Sequence, residues 1–235
     1  MAVSLSALPA RALLLDIEGT TTPIAFVYQV LFPYARAHTA EYLARNRDSA
    51  DCREAVALLR NETGAAQDLN PAQVLDYVFS LMDRDKKSPG LKALQGLIWQ
   101  DGYKSGELRG QVYPDVAPAF ERWRARGLDI HIYSSGSVLA QQLLFGSTDA
   151  GDLTRFLKGY FDTAVGPKTS PDSYRAISEC VHIAPAEMLF VSDVVQELDA
   201  ARTSGMRTAL CVRGSDTPSG SESHPVIRSF DEIVD

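Results

Sequence analysis

The sequence has few cysteines, no long apolar run and no early targeting signal. Its three cysteines, Cys52, Cys180 and Cys211, lie far apart and form no Cys-x-x-Cys pair. This predicts reduced thiols in a cytoplasmic protein rather than a disulfide framework or a zinc site. No apolar stretch approaches the roughly 18–20 residues that span a bilayer, and the first nine residues hold no basic cluster followed by an apolar core. We therefore expect neither a membrane anchor nor a signal peptide.

Positive charge is also scarce. There are 23 Lys and Arg residues against 30 Asp and Glu, which gives a formal net charge of −7. Because nucleic acid requires clustered basic side chains to neutralise its phosphates, we expect no nucleic-acid partner. If the chain binds a phosphate, its positive charge must be concentrated locally. With 235 residues, 45% of them apolar, it is long enough for one large core or for a core with a small second domain.

Short apolar strands alternate with helices in most of the chain. The run Ala12–Leu15 is apolar throughout and ends in Asp16, which is typical of a central parallel strand covered on both faces. The predicted strands are 12–16, 128–133, 161–165, 188–193 and 208–212, and helices are predicted at 115–126, 137–144, 171–181 and up to 204. This alternation predicts an α/β protein with a Rossmann-like parallel sheet and right-handed crossovers.

The segment from Ile24 to Gly106 is helical in pattern and nearly free of strand-like alternation. Asn70-Pro71 and Ser88-Pro89 each place a capping residue before a proline at the first helical position. A connection of this length without its own structure is implausible in a compact domain. We therefore predict an all-helical domain at residues 24–111, inserted after the first strand of an α/β core formed by residues 1–23 and 112–235.

Polar side chains follow the predicted strands at their carboxyl ends. They are Asp16 and Glu18, Ser134 and Ser135, Lys168, and Asp193. Each alone is explained by a turn, a helix cap or a solvated surface. Their order along the chain, with an acid pair, hydroxyls, a lysine and an acid each after its own strand, is more specific. Ligands of open α/β sheets bind at this edge of the sheet, so we expect these side chains to meet there.

Phosphoryl transfer is the chemistry that fits this set. Asp16 can attack a dianionic phosphate only with a cation between them, and Mg²⁺ needs one or two carboxylates plus a substrate oxygen. Asp16 and Asp193 would supply those carboxylates. Lys168 and the Ser134 hydroxyl would bind phosphate oxygens, together with N–H groups at the start of the next helix. Glu18 would protonate the leaving oxygen, which requires a raised pKa.

These segments resemble, in order, the four motifs of the haloacid dehalogenase superfamily. The matching parts are the sequence Asp-Ile-Glu-Gly-Thr at 16–20, the strand before Ser134, Lys168 and the strand before Asp193. Most phosphatases of that superfamily have Asp-x-Asp in the first motif, whereas the second acid here is Glu18. With the segments 112–116, 132–137, 159–163 and 165–168, the chain resembles the acireductone synthase family, the enolase-phosphatases of methionine salvage.

The resemblance implies a bifunctional monomeric enzyme with the helical insertion as its cap domain. It would enolise 2,3-diketo-5-methylthiopentyl-1-phosphate and hydrolyse the enol phosphate to the acireductone 1,2-dihydroxy-3-keto-5-methylthiopentene. The implied site has one Mg²⁺ per subunit, held by Asp16, Asp193 and the main-chain oxygen of Glu18. Asp16 would be the nucleophile and Glu18 the acid/base. Ser134, Ser135 and Lys168 would hold the substrate.

Several alternatives stay open at this stage. One is a phosphatase of the same superfamily for another small phosphate ester, and another is a phosphate-sensing receiver module, which would need no cap of about 85 residues. Either Glu197 or Asp199 could support the metal site from behind. Trp99 and Tyr103 could line an apolar pocket, although a packing role is the simpler interpretation. The sequence also leaves open whether the enolisation step is retained.

Overall fold

The structure is a computed structural model that describes residues 3–4, 10–63, 69–86, 88–214, 220 and 223–234. The chain divides into two compact units, one formed by Met1–Ile24 with Gly110–Asp235 and the other by Ala25–Arg109. These divisions lie within two residues of the boundaries expected for the core and the insertion. Across the described ranges, no helix is both long enough and apolar enough to cross a membrane.

The strands in the described part of the first unit are β1 (Val3–Ser4), β2 (Ala12–Leu15), β3 (Asp129–Tyr133), β4 (Gly159–Phe161), β5 (Met188–Ser192), β6 (Arg207–Cys211), β7 (Val226–Ile227) and β8 (Ile233–Val234). Six of them form a parallel sheet in the order β4-β3-β2-β5-β6-β7. Strands β1 and β8 form a separate parallel pair that the sequence did not predict. The α/β fold with a parallel sheet is confirmed.

Helices connect the strands and make up the second unit. They are α1 (Ile24–Phe26), α2 (Phe32–Asn46), α3 (Ala50–Glu62), α4 (Pro71–Asp83), α5 (Pro89–Ser105), α6 (Val116–Ala125), α7 (Val138–Gly146), α8 (Pro171–Val181) and α9 (Val195–Thr203). A π-helical segment, Val27–Leu31, precedes α2, and short 3₁₀ turns lie at Thr154–Phe156, Pro185–Glu187 and Phe230–Glu232.

Strand β2 lies at the centre of the sheet, and its side chains are covered on both faces. All four of its residues are fully buried, and Leu15 is in register with Ile132 of β3 on one side and Val191 of β5 on the other. Strands β3 and β4 follow in sequence on one side of β2, and β5 and β6 then lie on its other side. The strand order therefore reverses at β2, which is where open α/β sheets bind ligands.

The strand predicted at 161–165 is wrong in position, since β4 covers Gly159–Phe161. Asp162 ends it: its Oδ1 accepts a hydrogen bond from the N–H of Ala164, and its carbonyl accepts one from Val165. A side chain that satisfies the backbone two residues on favours a turn over a strand. The apolar Val165 therefore lies in the turn, although its residue type favours a strand.

The capping signals of the second unit are correct. Asn70 accepts a hydrogen bond from the N–H of Gln73, whose side chain accepts one from the Asn70 N–H, and together they form a capping box. Ser88 caps α5 in the same way through the N–H of Leu91. Trp99 is buried and donates its indole N–H to the carbonyl of Leu31 at 2.9 Å. This contact supports the packing interpretation of Trp99.

Candidate active site

Three strand ends place polar side chains at one edge of the sheet. Asp16 follows β2, Ser134 follows β3 and Asp193 follows β5. Because β2 lies between β3 and β5, its carboxyl end is the centre of this edge. Asp16 and Ser134 are buried there, and Lys168 reaches the same place from the loop after β4. The structure therefore brings Asp16, Ser134 and Lys168 to the same edge of the sheet, as the sequence predicted.

Lys168 joins two carboxylates. Its ammonium Nζ lies 2.6 Å from Asp16 Oδ1 and 2.6 Å from Glu197 Oε2, with only 9% of the side chain exposed. Burial acts to lower the pKa of Lys168, but the charges of Asp16 and Glu197 outweigh it and raise the pKa. The lysine therefore stays protonated and keeps its positive charge in the site.

The carboxylate of Asp16 is oriented by further donors. Its Oδ1 also accepts the N–H of Ile17 at 2.8 Å, while Oδ2 lies 3.2 Å from the Ser192 hydroxyl. That hydroxyl is also 3.1 Å from Glu197 Oε2 and accepts the N–H of Val194. Since Oδ1 accepts both the Lys168 and the Ile17 donors, Oδ2 is the oxygen with more free acceptor capacity.

The loop after Asp16 is a tight turn built on one carbonyl. The N–H groups of Thr20, Thr21 and Thr22 all approach the carbonyl oxygen of Ile17 at 2.9–3.1 Å. Gly19 has a φ of 72°, and a Cβ at this position would lie 2.1 Å from Asp193 Oδ2. Glycine is therefore required twice, for the left-handed backbone and for the approach of the Asp193 carboxylate.

Glu18 lies beside the hydroxyl of Ser134. The Ser134 Oγ is 3.3 Å from Glu18 Oε2 and accepts the N–H of Gly136 at 3.1 Å. Burial raises the pKa of the Glu18 carboxyl, and the neighbouring charge of Asp16 raises it further. A raised pKa favours the protonated carboxyl, which is the form that a general acid needs.

Two of the sequence candidates do not join the cluster. Ser135 is exposed in the bend after β3, and no contact of its side chain to Asp16 or Lys168 is present. Asp199 is half-exposed and faces Arg202 at 2.9 Å and His224 at 3.2 Å. Of the two acids that the sequence left open, Glu197 and not Asp199 reaches Lys168.

The cluster has more negative than positive groups. Among the described residues, the carboxyl groups of Asp16, Glu18, Asp193 and Glu197 lie in the cluster with one ammonium group, that of Lys168. Burial raises the pKa of Asp193 to about 7, and the charge of Asp16 adds to this effect. Such shifts mark a site in which the protein alone does not compensate its charges.

The donor set fits a small hard cation such as Mg²⁺. The carbonyl of Glu18 accepts no hydrogen bond from any residue that the structure describes, and it lies in the same turn as Gly19, against which Asp193 packs. Two carboxylates and a main-chain oxygen suffice for Mg²⁺, which keeps several waters. In the described ranges, no group of three or more His, Cys, Asp or Glu side chains forms a metal site by itself.

A second charged pair, which the sequence analysis missed, fixes the same loop from its other end. Arg213 donates to the carbonyl of Thr20 through Nε at 3.0 Å and Nη2 at 2.7 Å, and to Asp115 Oδ2 through Nη1 at 2.7 Å. Asp115 also accepts the N–H of Phe230 at 2.6 Å and the hydroxyl of Ser229 at 3.1 Å. Asp115 precedes α6 but makes no side-chain cap there.

Comparison with known proteins identifies the family of the chain. A family model described as haloacid dehalogenase-like hydrolase matches residues 10–205. The chain is 48% identical over 223 residues to the enolase-phosphatase E1 of Citrobacter koseri, covering 95% of this chain and 96% of that protein. It is 50% identical over 229 residues to the enolase-phosphatase E1 of Synechococcus elongatus, covering 94% and 96%. The chain belongs to the enolase-phosphatase family of haloacid dehalogenase-like hydrolases.

A solved structure of similar sequence has the same fold. The crystal structure of the UTR4 protein of Saccharomyces cerevisiae matches with a TM-score of 0.80 and 33% identity, covering 94% of this chain and 99% of that one. Membership of the enolase-phosphatase family confirms the resemblance found in the motifs and the expectation of a hydrolase of phosphate esters. It decides against the receiver-module alternative.

Proposed function

We propose that the protein is a bifunctional enolase-phosphatase of methionine salvage. It converts 2,3-diketo-5-methylthiopentyl-1-phosphate to 1,2-dihydroxy-3-keto-5-methylthiopentene and phosphate. The observation that carries the proposal is Glu18, a longer acid than the usual Asp of the first motif, placed against Ser134 with a raised pKa. The two curated relatives described above bear the name of this activity.

The proposed cofactor is one Mg²⁺ per subunit. Asp16 and Asp193 would hold it through their carboxylates, and Glu18 through its main-chain oxygen. When bound, the ion supplies positive charge that lets an anionic phosphate approach a carboxylate. The surplus of carboxyl groups around Lys168 supports this assignment.

Asp16 is the proposed nucleophile. Its Oδ2, the oxygen with more free acceptor capacity, attacks phosphorus, and the bond from phosphorus to the leaving oxygen breaks. Lys168 and the hydroxyl of Ser134 bind phosphate oxygens, and Lys168 compensates their charge. Glu18 donates its proton to the leaving oxygen. As a carboxylate, it then takes a proton from the water that releases phosphate from Asp16.

The enolisation step is assigned to Glu18 as well. In the ionised form, its carboxylate removes a proton from the carbon next to the carbonyl of the substrate, and the electron pair moves to the carbonyl oxygen. Lys168 lies in the same cluster and provides positive charge toward the developing oxyanion. With one methylene more than aspartate, Glu18 reaches about 1 Å further from the same backbone position.

The second unit is the proposed cap, corresponding to residues 24–111, which excludes water during the reaction. The proposal includes a monomer that acts in the cytoplasm on a small phosphate ester, without a nucleic-acid or membrane partner. Three free cysteines, two of them buried, are compatible with a reducing compartment.

One assay tests the proposed function. Purified protein with the diketone phosphate is followed by ultraviolet absorbance for the enolic products and by released phosphate, with and without Mg²⁺. Formation of both signals with Mg²⁺, and their loss with a chelator, is the expected result. Release of phosphate from simple esters without acireductone absorbance would favour a phosphatase of another small ester instead.

A further inference from the structure

Three consecutive carbonyl groups around Lys168 are each held by a side-chain hydroxyl. Tyr133 donates to the carbonyl of Gly166 at 2.9 Å, Ser173 to that of Pro167 at 2.8 Å, and Tyr174 to that of Lys168 at 2.7 Å. We refer to Tyr133, Ser173 and Tyr174 as the carbonyl clamp. No other run of three successive carbonyls in the described ranges is bound in this way by hydroxyl groups.

The carbonyl clamp is rigid because it is buried and tightly packed. Tyr133 and Tyr174 are fully buried and Ser173 is 2% exposed. The two tyrosine rings meet edge to face at 5.6 Å between centroids. Gly166 has a φ of 136°, and a Cβ there would lie 2.3 Å from the Ser173 Oγ. The loop therefore has little room to shift against strand β3 and helix α8, which carry the hydroxyls.

The three hydroxyls of the clamp bind the main chain at and just before Lys168, not its ammonium group. A lysine side chain is a flexible four-carbon stem, so the region that Nζ can reach depends on where the backbone places the Cα atom. The ring of Tyr133 also lies 5.7 Å from Nζ and supports the cation from one side. Tyr133 thus contributes twice, through its hydroxyl to the loop and through its ring to the charge.

We propose that Tyr133, Ser173 and Tyr174 are positioning residues that set the reach of Lys168 to the substrate phosphate. The inference rests on the proposed function, in which Lys168 binds that phosphate. A displacement of a charged group by about 1 Å can cost a factor of about 100 in rate. Removing a tyrosine hydroxyl leaves the carbonyl of Gly166 or Lys168 without its donor, whereas the carbonyl of Pro167 still accepts the N–H of Ser170 at 2.9 Å when Ser173 is changed. Loss of a donor lets the loop relax, and the ammonium moves with it.

The experiment compares Tyr174→Phe and Ser173→Ala with Tyr160→Phe. Tyr160 lies in β4, and its buried hydroxyl has no partner among the described residues, so its loss is a matched control for removing a tyrosine hydroxyl. For each variant, kcat and KM are measured with saturating Mg²⁺, together with the inhibition constant of inorganic phosphate and the melting temperature. Lys168→Gln is carried through the same measurements.

We expect Tyr174→Phe to lower kcat/KM and to weaken inhibition by phosphate, each by about five- to tenfold. Ser173→Ala should change both in the same direction by about threefold, because Pro167 keeps the N–H of Ser170, while Tyr160→Phe stays within twofold of the parent. Lys168→Gln should exceed both effects. If Tyr174→Phe lowers only the melting temperature and matches Tyr160→Phe in kinetics and phosphate inhibition, the clamp is purely structural and the inference is wrong.

A different outcome would overturn the proposed role of Lys168 itself. If Lys168→Gln folds and retains both turnover and phosphate inhibition, Lys168 does not bind phosphate, whatever the clamp variants do. Loss of phosphate inhibition in Lys168→Gln with unchanged inhibition in every clamp variant would reject positioning but keep the proposed function. The double variant Tyr133→Phe/Tyr174→Phe should weaken phosphate inhibition more than either single change.

Discussion

Two buried charge clusters hold the ends of the same loop, residues 17–22, and they differ in balance. At one end, the carboxyls of Asp16, Glu18, Asp193 and Glu197 share the single ammonium of Lys168. At the other end, Arg213 pairs with Asp115 one to one, with 9% and 10% of their side chains exposed. We call these the acidic cluster and the paired cluster.

The pKa shifts of the two clusters run in opposite directions. In the acidic cluster, burial raises the pKa values of Glu18, Asp193 and Glu197, with the charge of Asp16 adding to each. At Asp115, burial also acts to raise the pKa, but hydrogen bonds from Phe230 and Arg213 outweigh it and lower the pKa. A buried pair that is complete supports the fold, whereas an incomplete set is available for a ligand.

The largest expected effect comes from neutralising the nucleophile. Asp16→Asn should lower phosphate release by at least about a thousandfold, because an amide is close in shape but a poor nucleophile. Circular dichroism should show the parent fold. Asp115→Asn is the matched control in the paired cluster and should lower stability while the folded fraction keeps turning over. Equal loss of turnover in both variants would contradict the distinction between the clusters.

The second prediction concerns the cation. Asp193→Asn should weaken Mg²⁺ binding by about a hundredfold, since it removes one of two carboxylates that would hold the ion. The measurement is the increase in melting temperature on addition of Mg²⁺, which should shrink in the variant. Asp199→Asn is the control, because Asp199 follows the same strand but faces Arg202 and His224. An unchanged Mg²⁺ response in Asp193→Asn would remove Asp193 from the metal site.

The third prediction is that a substitution in the paired cluster lowers the stability of the protein but not its turnover. Arg213→Met removes the buried positive partner of Asp115 and both side-chain donors to the carbonyl of Thr20, so the free energy of unfolding should fall by about 3 kcal/mol. Turnover per folded molecule should stay within about threefold of the parent. Arg122→Met removes an exposed ion pair to Asp231, and its cost should be below about 1 kcal/mol. Urea unfolding and phosphate release measure the two effects separately.

The smallest effect separates the length of Glu18 from its charge. Glu18→Asp keeps the charge but shortens the side chain, so enolisation should fall about tenfold more than hydrolysis of a simple phosphate ester. Glu18→Gln should impair both steps. The measurement is the ratio of the two rates in each variant. If Glu18→Asp changes both rates equally or neither, the enolisation base is another residue.

Patterns of short range were predicted well from the sequence. The apolar run of β2, the Pro71 and Pro89 starts of two helices and the helix Pro171–Val181 depend on local burial and capping, which residue types express directly. The strand placed at 161–165 failed because the hydrogen bond that the Asp162 side chain accepts from the N–H of Ala164 outweighs the β propensity of Val165. The resemblance to a superfamily with four ordered motifs further limited the candidate site residues to those at a few strand ends.

Specific contacts between residues far apart in the sequence could not be predicted from it. The order of residues predicted that Asp16, Ser134, Lys168 and Asp193 would gather, because parallel strands end at one edge of a sheet. It gave no preference between Glu197 and Asp199, which lie two residues apart on one short helix and face different partners, Lys168 and Arg202.

By itself, then, the sequence determined the α/β class and the helical character of the insertion and predicted the residues now proposed to carry the chemistry, since periodicity, caps and motif order can be read from the order of residues. Only the tertiary structure decided how those residues are supported. The Arg213–Asp115 pair spans 98 positions, and the Lys168–Asp16 pair spans 152. The physical reason is that a hydrogen bond depends on distances of a few tenths of an ångström, which are fixed by the packing of the whole sheet and its helices.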